Sequence, residues 1–344
     1  MSKRIVVCCD GTWNTPNTDT STNVVKMARA ILPSAPDGTT QVVFYDWGVG
    51  TEKGLNRFFG GAFGKGLNKN VEDAYRFLLH NYEPEDEVFL FGFSRGAFTA
   101  RSLVGLIRNC GLLHKDHADR VSEAMALYRS DDPVDSTIAG EFRQAYSSAI
   151  DIHCVGVWDT VGAMGIPLRG LHRLTRKRHQ FHDVSLSKIV KHAYHALAID
   201  EQRWPFRPSV WKPADTAGQV IDQAWFPGVH SDLGGGYNDH GLSDGAFAWI
   251  LERAEACGLA VDKDYVTRTI RPDASATLHN TRTGFYRLMR PHVRTIAQGE
   301  SAVETVAPPV IERKAKLGYG PDNLLDYFRR HPPTDDAEPG APSE

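Results

Sequence analysis

DEVFLFGFSRGAFTAR, residues 86–101, runs from an uncharged apolar stretch through a glycine-bracketed serine into a helical pattern. Between Glu87 and Gly92 the residues are all apolar, as in a central parallel strand covered on both faces. Gly92, Phe93, Ser94, Arg95 and Gly96 then fit G-x-S-x-G. In a nucleophile elbow the serine sits on a strained strand-to-helix turn, and flanking glycines keep side chains away where the chain doubles back. Phe98, Leu103, Leu106 and Ile107 follow at helical spacing, so a helix begins where the elbow needs one. Its N-terminus favours negative charge developing at Ser94. The plain alternative is a tight turn in which Ser94 only caps the helix.

This segment calls for a parallel sheet, and the length of 344 residues allows one large α/β domain. With 41% hydrophobic and 24% charged residues, the composition is that of a globular chain with a sizeable core. A formal net charge of -3 offers no general basic field for nucleic acid. No apolar run reaches membrane-spanning length. MSKRIVVCCD reads as a first strand rather than a signal peptide. The 5 cysteines are odd in number and sit mostly in apolar runs, which predicts reduced, buried thiols and a cytoplasmic protein. No zinc-ligand spacing occurs, and no cofactor is expected.

In chain order, residues 5–10 give the first strand, ending at Asp10, and a polar DGTWN loop follows. Asn23 or Thr22 caps a helix over 24–32. Residues 41–45 give a second strand, followed by a long Gly- and Phe-rich segment without a regular period. Phe58, Phe59 and Phe63 in that segment are candidates for an acyl pocket, with core packing as the equal alternative. Gly64, Lys65 and Gly66 do not meet the phosphate-loop pattern, because Gly66 stands where Ser or Thr is required. An amphipathic helix is expected over 70–82, helices over 117–128 and 133–147, and a buried strand over 150–158. Residues 187–200 read as a helix, residues 222–226 as the last buried strand, and 243–257 as a helix. The basic residues Arg169, Arg173, Arg176, Lys177 and Arg178 read as a solvated face or as a lid facing an anionic headgroup. The whole is expected to be a single domain over 1–330, with a cap or lid over 168–215 and a disordered tail over 331–344.

Ser94, Asp159 and His230 each follow an expected buried strand, in the chain order Ser, Asp, His of α/β-hydrolases. A serine hydroxyl needs a histidine to take its proton, and the histidine needs a carboxylate to hold its tautomer and its charge. Asp10, Asp200 and Asp232 compete with Asp159 for the carboxylate role. Asp232 reads as a loop-orienting residue and Asp10 as a support for the loop after the first strand. Backbone N–H groups of Arg95 and of Gly11 or Thr12 are the candidate oxyanion donors. Two rival readings differ in class. Asp10-Gly11-Thr12 is similar to the D-x-D-G-T opening of haloacid dehalogenase-type phosphatases, but Cys8 stands in the place of the nucleophilic Asp. The other rival is a non-catalytic or toxin-like binding module on a hydrolase scaffold.

Six segments share a resemblance: CCDGTWN at 8–14, YDWGVGT at 45–51, GGAFGKGL at 60–67, FGFSRGAFTAR at 91–101, VWDTVGA at 157–163 and WFPGVHSDLGGGY at 225–237. With them the chain resembles an uncharacterised α/β-hydrolase domain family related to the catalytic domain of type VI secretion phospholipase effectors. The resemblance implies a three-layer α/β-hydrolase-like sandwich with a mostly parallel sheet, a triad at Ser94, Asp159 and His230, and esterase or phospholipase A chemistry. The expected partner is a small-molecule or lipid ester, with no nucleic acid; membrane contact and oligomeric state stay open. The chain reads as little more than a catalytic domain, with no added membrane-anchoring domain and no basic amphipathic helix fit to dock on a bilayer.

Overall fold

The computed structural model describes residues 2–11, 20–48, 61–130, 133–161, 186–212, 216–297 and 303–332. Alternating apolar residues explain its layers. Val88 and Leu90 of strand β3 (Glu87–Phe93) join one buried cluster, while Phe89, Phe91 and Phe93 join another. The strand is therefore apolar on both faces, and helices must cover both.

Strands β1 (Arg4–Cys9), β2 (Gln41–Asp46), β3, β4 (Ile152–Trp158), β5 (Val190–Ala198), β6 (Val220–Phe226) and β7 (Glu304–Val306) form a 7-stranded sheet. The spatial order is β2-β1-β3-β4-β5-β6-β7, and each neighbouring pair runs parallel. Helices α1 (Asn23–Ala30), α2 (Gly61–Asn81), α3 (Arg95–Cys110), α4 (Val121–Tyr128) and α5 (Thr137–Tyr146) connect strands β1 to β4. Residues of α2 to α5 pack on one face with Ile5, Val7 and Leu90. On the other face α1 joins helix α7 (Gly241–Ala256), which follows the one-turn helix α6 (His230–Gly234). Later helices α8 (Lys263–Thr269), α9 (Pro308–Leu317) and α10 (Asp322–Arg330) complete the described chain. Val310 of α9 and Leu324 of α10 pack with Leu197, Trp225 and Ile296 at the β7 side. This is the three-layer, α/β-hydrolase-like sandwich that the sequence implied.

Four expectations change. The helix expected over 187–200 is strand β5, hydrogen-bonded between β4 and β6. Its run VKHAYHALA is buried on both sides of the sheet, so its apolar pattern carries no strand period. For the same reason the 168–215 segment is not a cap throughout, since it contains a core strand; its residues 168–185 and 213–215 lie outside the described chain. Helix α2 begins at Gly61, well before residue 70, where closely spaced glycines obscured the helical period. Strand β7 adds a short edge beyond the strand expected to be last. The 5 cysteines are free and buried, and no helix among the described residues is long and apolar enough to cross a membrane.

Candidate active site

The turn at the end of β3 has the strain expected of an elbow. Ser94 has φ 58° and ψ −116°, a conformation that L-residues rarely hold. Its side chain makes no capping bond to α3, which removes the plain helix-cap reading. Close backbone approach requires the glycine two residues on: a Cβ on Gly96 would lie 1.9 Å from the Cys9 carbonyl oxygen. Gly96→Ala is therefore expected to cost at least about 3 kcal/mol, or to abolish folding. Thermal or urea unfolding checks this, and near-wild-type stability contradicts it.

The sheet register places the next group. Phe93 pairs with Trp158, so Ser94 and Asp159 emerge from adjacent strands, with the Ser94 N–H donating to the Trp158 carbonyl at 3.0 Å. Asp159 is fully buried and also has positive φ, 40°. His230, the first residue of α6, directs Nδ1 to Asp159 Oδ2 at 2.6 Å. This leaves Nε2 as the free basic nitrogen. The His230 ring packs between Phe93 and Phe206, with centroid separations of 4.7 and 5.0 Å. No hydrogen bond joins Ser94 to His230 among the described residues, and such contacts commonly tighten only with substrate.

Asp159 has a further partner that the sequence did not reveal. Arg294 is 1% exposed and donates Nη1 to Asp159 Oδ1 at 2.6 Å and Nη2 to Oδ2 at 3.0 Å. The same guanidinium bonds the carbonyls of Ala198 and Phe206, and the Ala198 N–H donates to Asp159 Oδ1 at 3.1 Å. Burial alone would favour the neutral acid; Arg294 and then His230 overcome it and hold the carboxyl well below the usual range. Burial lowers the His230 pKa against the opposing pull of Asp159. Glu201, also missed, accepts from the His230 backbone N–H at 3.3 Å and is paired with Arg203. Arg294 lies in a stretch without helical or strand period, where no sequence signal marks it.

The remaining predicted residues take distinct places. Asp10 is buried and accepts from the Gly11 N–H at 2.7 Å, the Thr22 hydroxyl at 2.6 Å and the Tyr45 hydroxyl at 2.7 Å. It is thus knitted into the loop base. The Gly11 N–H is committed to Asp10 here, and Thr12 lies outside the described residues. Arg95 opens α3, where the first N–H groups lack intrahelical acceptors. Asp232 holds α6 by accepting from the Val229 N–H at 2.9 Å, and meets His279 Nδ1 at 2.6 Å. Asp200 follows a strand rather than a helix, and accepts from the Gly228 N–H and the Tyr319 hydroxyl, both at 2.7 Å. Phe58, Phe59 and the basic cluster 169–178 lie outside the described residues, as does the Phe63 side chain. One surface group, His114, Asp116 and His117, has metal-ligand types close together, and it includes none of the predicted site residues.

His195 is fully buried and bonds the residue after Asp159. Its Nε2 accepts the Thr160 N–H at 3.1 Å, so the ring is neutral with its proton on Nδ1, facing Gln223 at 3.3 Å. Burial, with help from the Arg101 charge, pushes its pKa down to about 3. The unfolded ring titrates near 6.5, so the unfolded state binds the extra proton between these values. The stability from His195 is complete above pH 6.5 and is lost as pH falls toward 3. We expect Tm to drop on acidification below pH 6.5 more steeply in the wild type than in His195→Gln. Parallel pH–Tm curves contradict this.

Comparison with known proteins adds to this geometry. The family model "T6SS, Phospholipase effector Tle1-like, catalytic domain" matches residues 3–253. An uncharacterized protein of Saccharomyces cerevisiae is 30% identical over 235 residues, covering 61% of this chain and 33% of its own length. The chain therefore spans about a third of that curated relative. A crystal structure of an uncharacterized protein from Pseudomonas aeruginosa is similar at 17% identity and TM-score 0.48, over 80% of this chain and 49% of that one. The Tle1 effector bound to the VgrG spike of a type 6 secretion system is similar at 18% identity and TM-score 0.39, over 70% and 52%. A thermophilic esterase from Thermogutta terrifontis is similar at 13% identity and TM-score 0.39, over 74% and 80%.

Proposed function

Because the chain belongs to the family of type VI secretion Tle1-like phospholipase effector catalytic domains, we propose that it is a serine hydrolase of carboxylic esters, lipid acyl esters among them. The observation that carries this reading is the strained, uncapped Ser94 beside a 2.6 Å Asp159–His230 pair. In the proposed cycle, His230 Nε2 takes the Ser94 proton as Oγ attacks the ester carbonyl. Asp159 holds the imidazolium, and the Arg95 N–H, with the Thr12 N–H as the second donor since that of Gly11 is bonded to Asp10, receives the oxyanion. Collapse expels the alcohol, which takes the proton from His230. Water, deprotonated by His230, then releases the acid from the acyl-enzyme.

Asp10 supports the loop in this scheme and is not a nucleophile. The test is a panel of p-nitrophenyl esters, phospholipids and p-nitrophenyl phosphate with wild type and Ser94→Ala. Ester turnover that depends on Ser94 is expected. Phosphatase activity surviving in Ser94→Ala would instead favour Asp10, and a folded wild type inert on all esters would favour a binding module.

The pH dependence follows from His230. Only the neutral imidazole can act as base, so kcat/KM rises with pH through its pKa. Burial places that pKa below the ordinary 6.5, so the acid limb should have its midpoint below pH 6.5. A midpoint above pH 6.5 contradicts this placement.

A further inference from the structure

The segment 274–299 contains Arg282, Arg287, Arg290 and Arg294 and no Asp or Glu. It forms the 3₁₀ turn Gly284–Leu288 and an extended run leading to Arg294, the partner of Asp159. Its conformation is held from within, since Arg282 donates to the Met289 carbonyl at 3.0 Å. It is also tied to the site wall. The His292 N–H donates to the Gln202 carbonyl at 2.9 Å, which fixes the segment beside Glu201 and Arg203. The Arg203 guanidinium lies 3.6 Å over Phe206 and 5.4 Å from Tyr286. Phe206 is the ring that packs on His230.

The segment shows large apolar groups to solvent. Leu288 is 86% exposed and Val293 54% exposed. Arg287, directly before Leu288, and Arg290, between Leu288 and Val293, are exposed, and neither forms an ion pair among the described residues. Large apolar groups set among uncompensated arginines, on a chain of net charge -3, match a surface that is apolar beneath and anionic on top.

We infer that residues 287–293 are a docking loop for an anionic lipid surface. Leu288 and Val293 enter the acyl boundary while Arg287 and Arg290 meet the headgroup charges. The inference rests on the lipid-ester reading of the site beside it. Docking there would present an acyl ester next to the wall formed by Phe206.

The test is co-sedimentation with vesicles of phosphatidylcholine alone and of phosphatidylcholine with phosphatidylglycerol. Wild type should bind the mixed vesicles, release with added salt, and leave neutral vesicles unbound. Leu288→Asp/Val293→Asp and Arg287→Gln/Arg290→Gln should each lower the partition coefficient about tenfold or more. Both variants should keep wild-type turnover of a soluble p-nitrophenyl ester. Wild-type binding by either variant, equal binding to neutral vesicles, or no binding to either vesicle overturns the inference. Ser94→Ala should bind like wild type. Loop-dependent vesicle binding without any ester turnover supports the docking loop while removing the hydrolase reading.

Discussion

Ser94→Ala should lower kcat/KM for esters on the order of 10⁵-fold while leaving the fold intact. The two halves of this expectation have separate grounds. The Ser94 side chain makes no capping bond to α3, so its loss removes no structural partner. Alanine inherits the same strained φ of 58° and adds no atoms, so Tm should stay close to wild type. The chemical half follows from the attacking atom being gone. His230→Ala should cost about as much, because serine without its base is a weak nucleophile. The double variant should be no worse than either single one, since the residues act as a unit. Steady-state kinetics on one short-chain ester check all three. Additive losses in the double variant would mean that the two side chains serve different steps.

Arg294→Met carries the second large effect, and it acts through Asp159. Both oxygens of that buried carboxylate accept from the guanidinium, at 2.6 and 3.0 Å. Removing one partner of a buried ion pair leaves a charge without compensation, at a cost of about 3–5 kcal/mol. Activity should fall about 10- to 100-fold beyond any loss of folded protein, because the carboxylate that orients His230 loses its anchor. A merely structural role would not move the pH profile, but this one should. With the Arg294 charge gone, Asp159 attracts the imidazolium more strongly while it stays ionised. The His230 pKa and the acid limb of kcat/KM then move upward. Arg294→Lys should restore little, since an ammonium cannot reproduce the two-pronged contact. An unchanged acid limb in Arg294→Met would show that Arg294 only stabilises the fold.

Much of this arrangement was legible in the chain because its signals are local. The elbow announces itself through Gly92, Ser94 and Gly96, whose spacing answers a backbone approach that admits no Cβ. Asp159 follows a strand with a plain apolar run and His230 one that ends in Ala224, Trp225 and Phe226, and the structure joins the two residues directly. Asp232 and Asp10 also behave as loop supports. What stayed hidden depends on contacts distant in sequence. Arg294 reaches Asp159 across 135 positions, and nothing in its neighbours marks it as buried. Strand β5 reads as a helix in the sequence because a strand buried on both faces has no alternation to show. The orientation of the Gly11 N–H turns on the Asp10 rotamer, which no spacing rule gives.

The central claim is that Ser94 is a nucleophile raised in reactivity by the Asp159–His230 pair. Covalent labelling with a fluorophosphonate, followed by peptide mass spectrometry, tests it without knowledge of the substrate. Stoichiometric modification of the peptide containing Ser94 is expected in wild type, with none in Ser94→Ala and strongly slowed labelling in His230→Ala. A folded wild type that resists labelling, or that is labelled at another residue, would contradict the account.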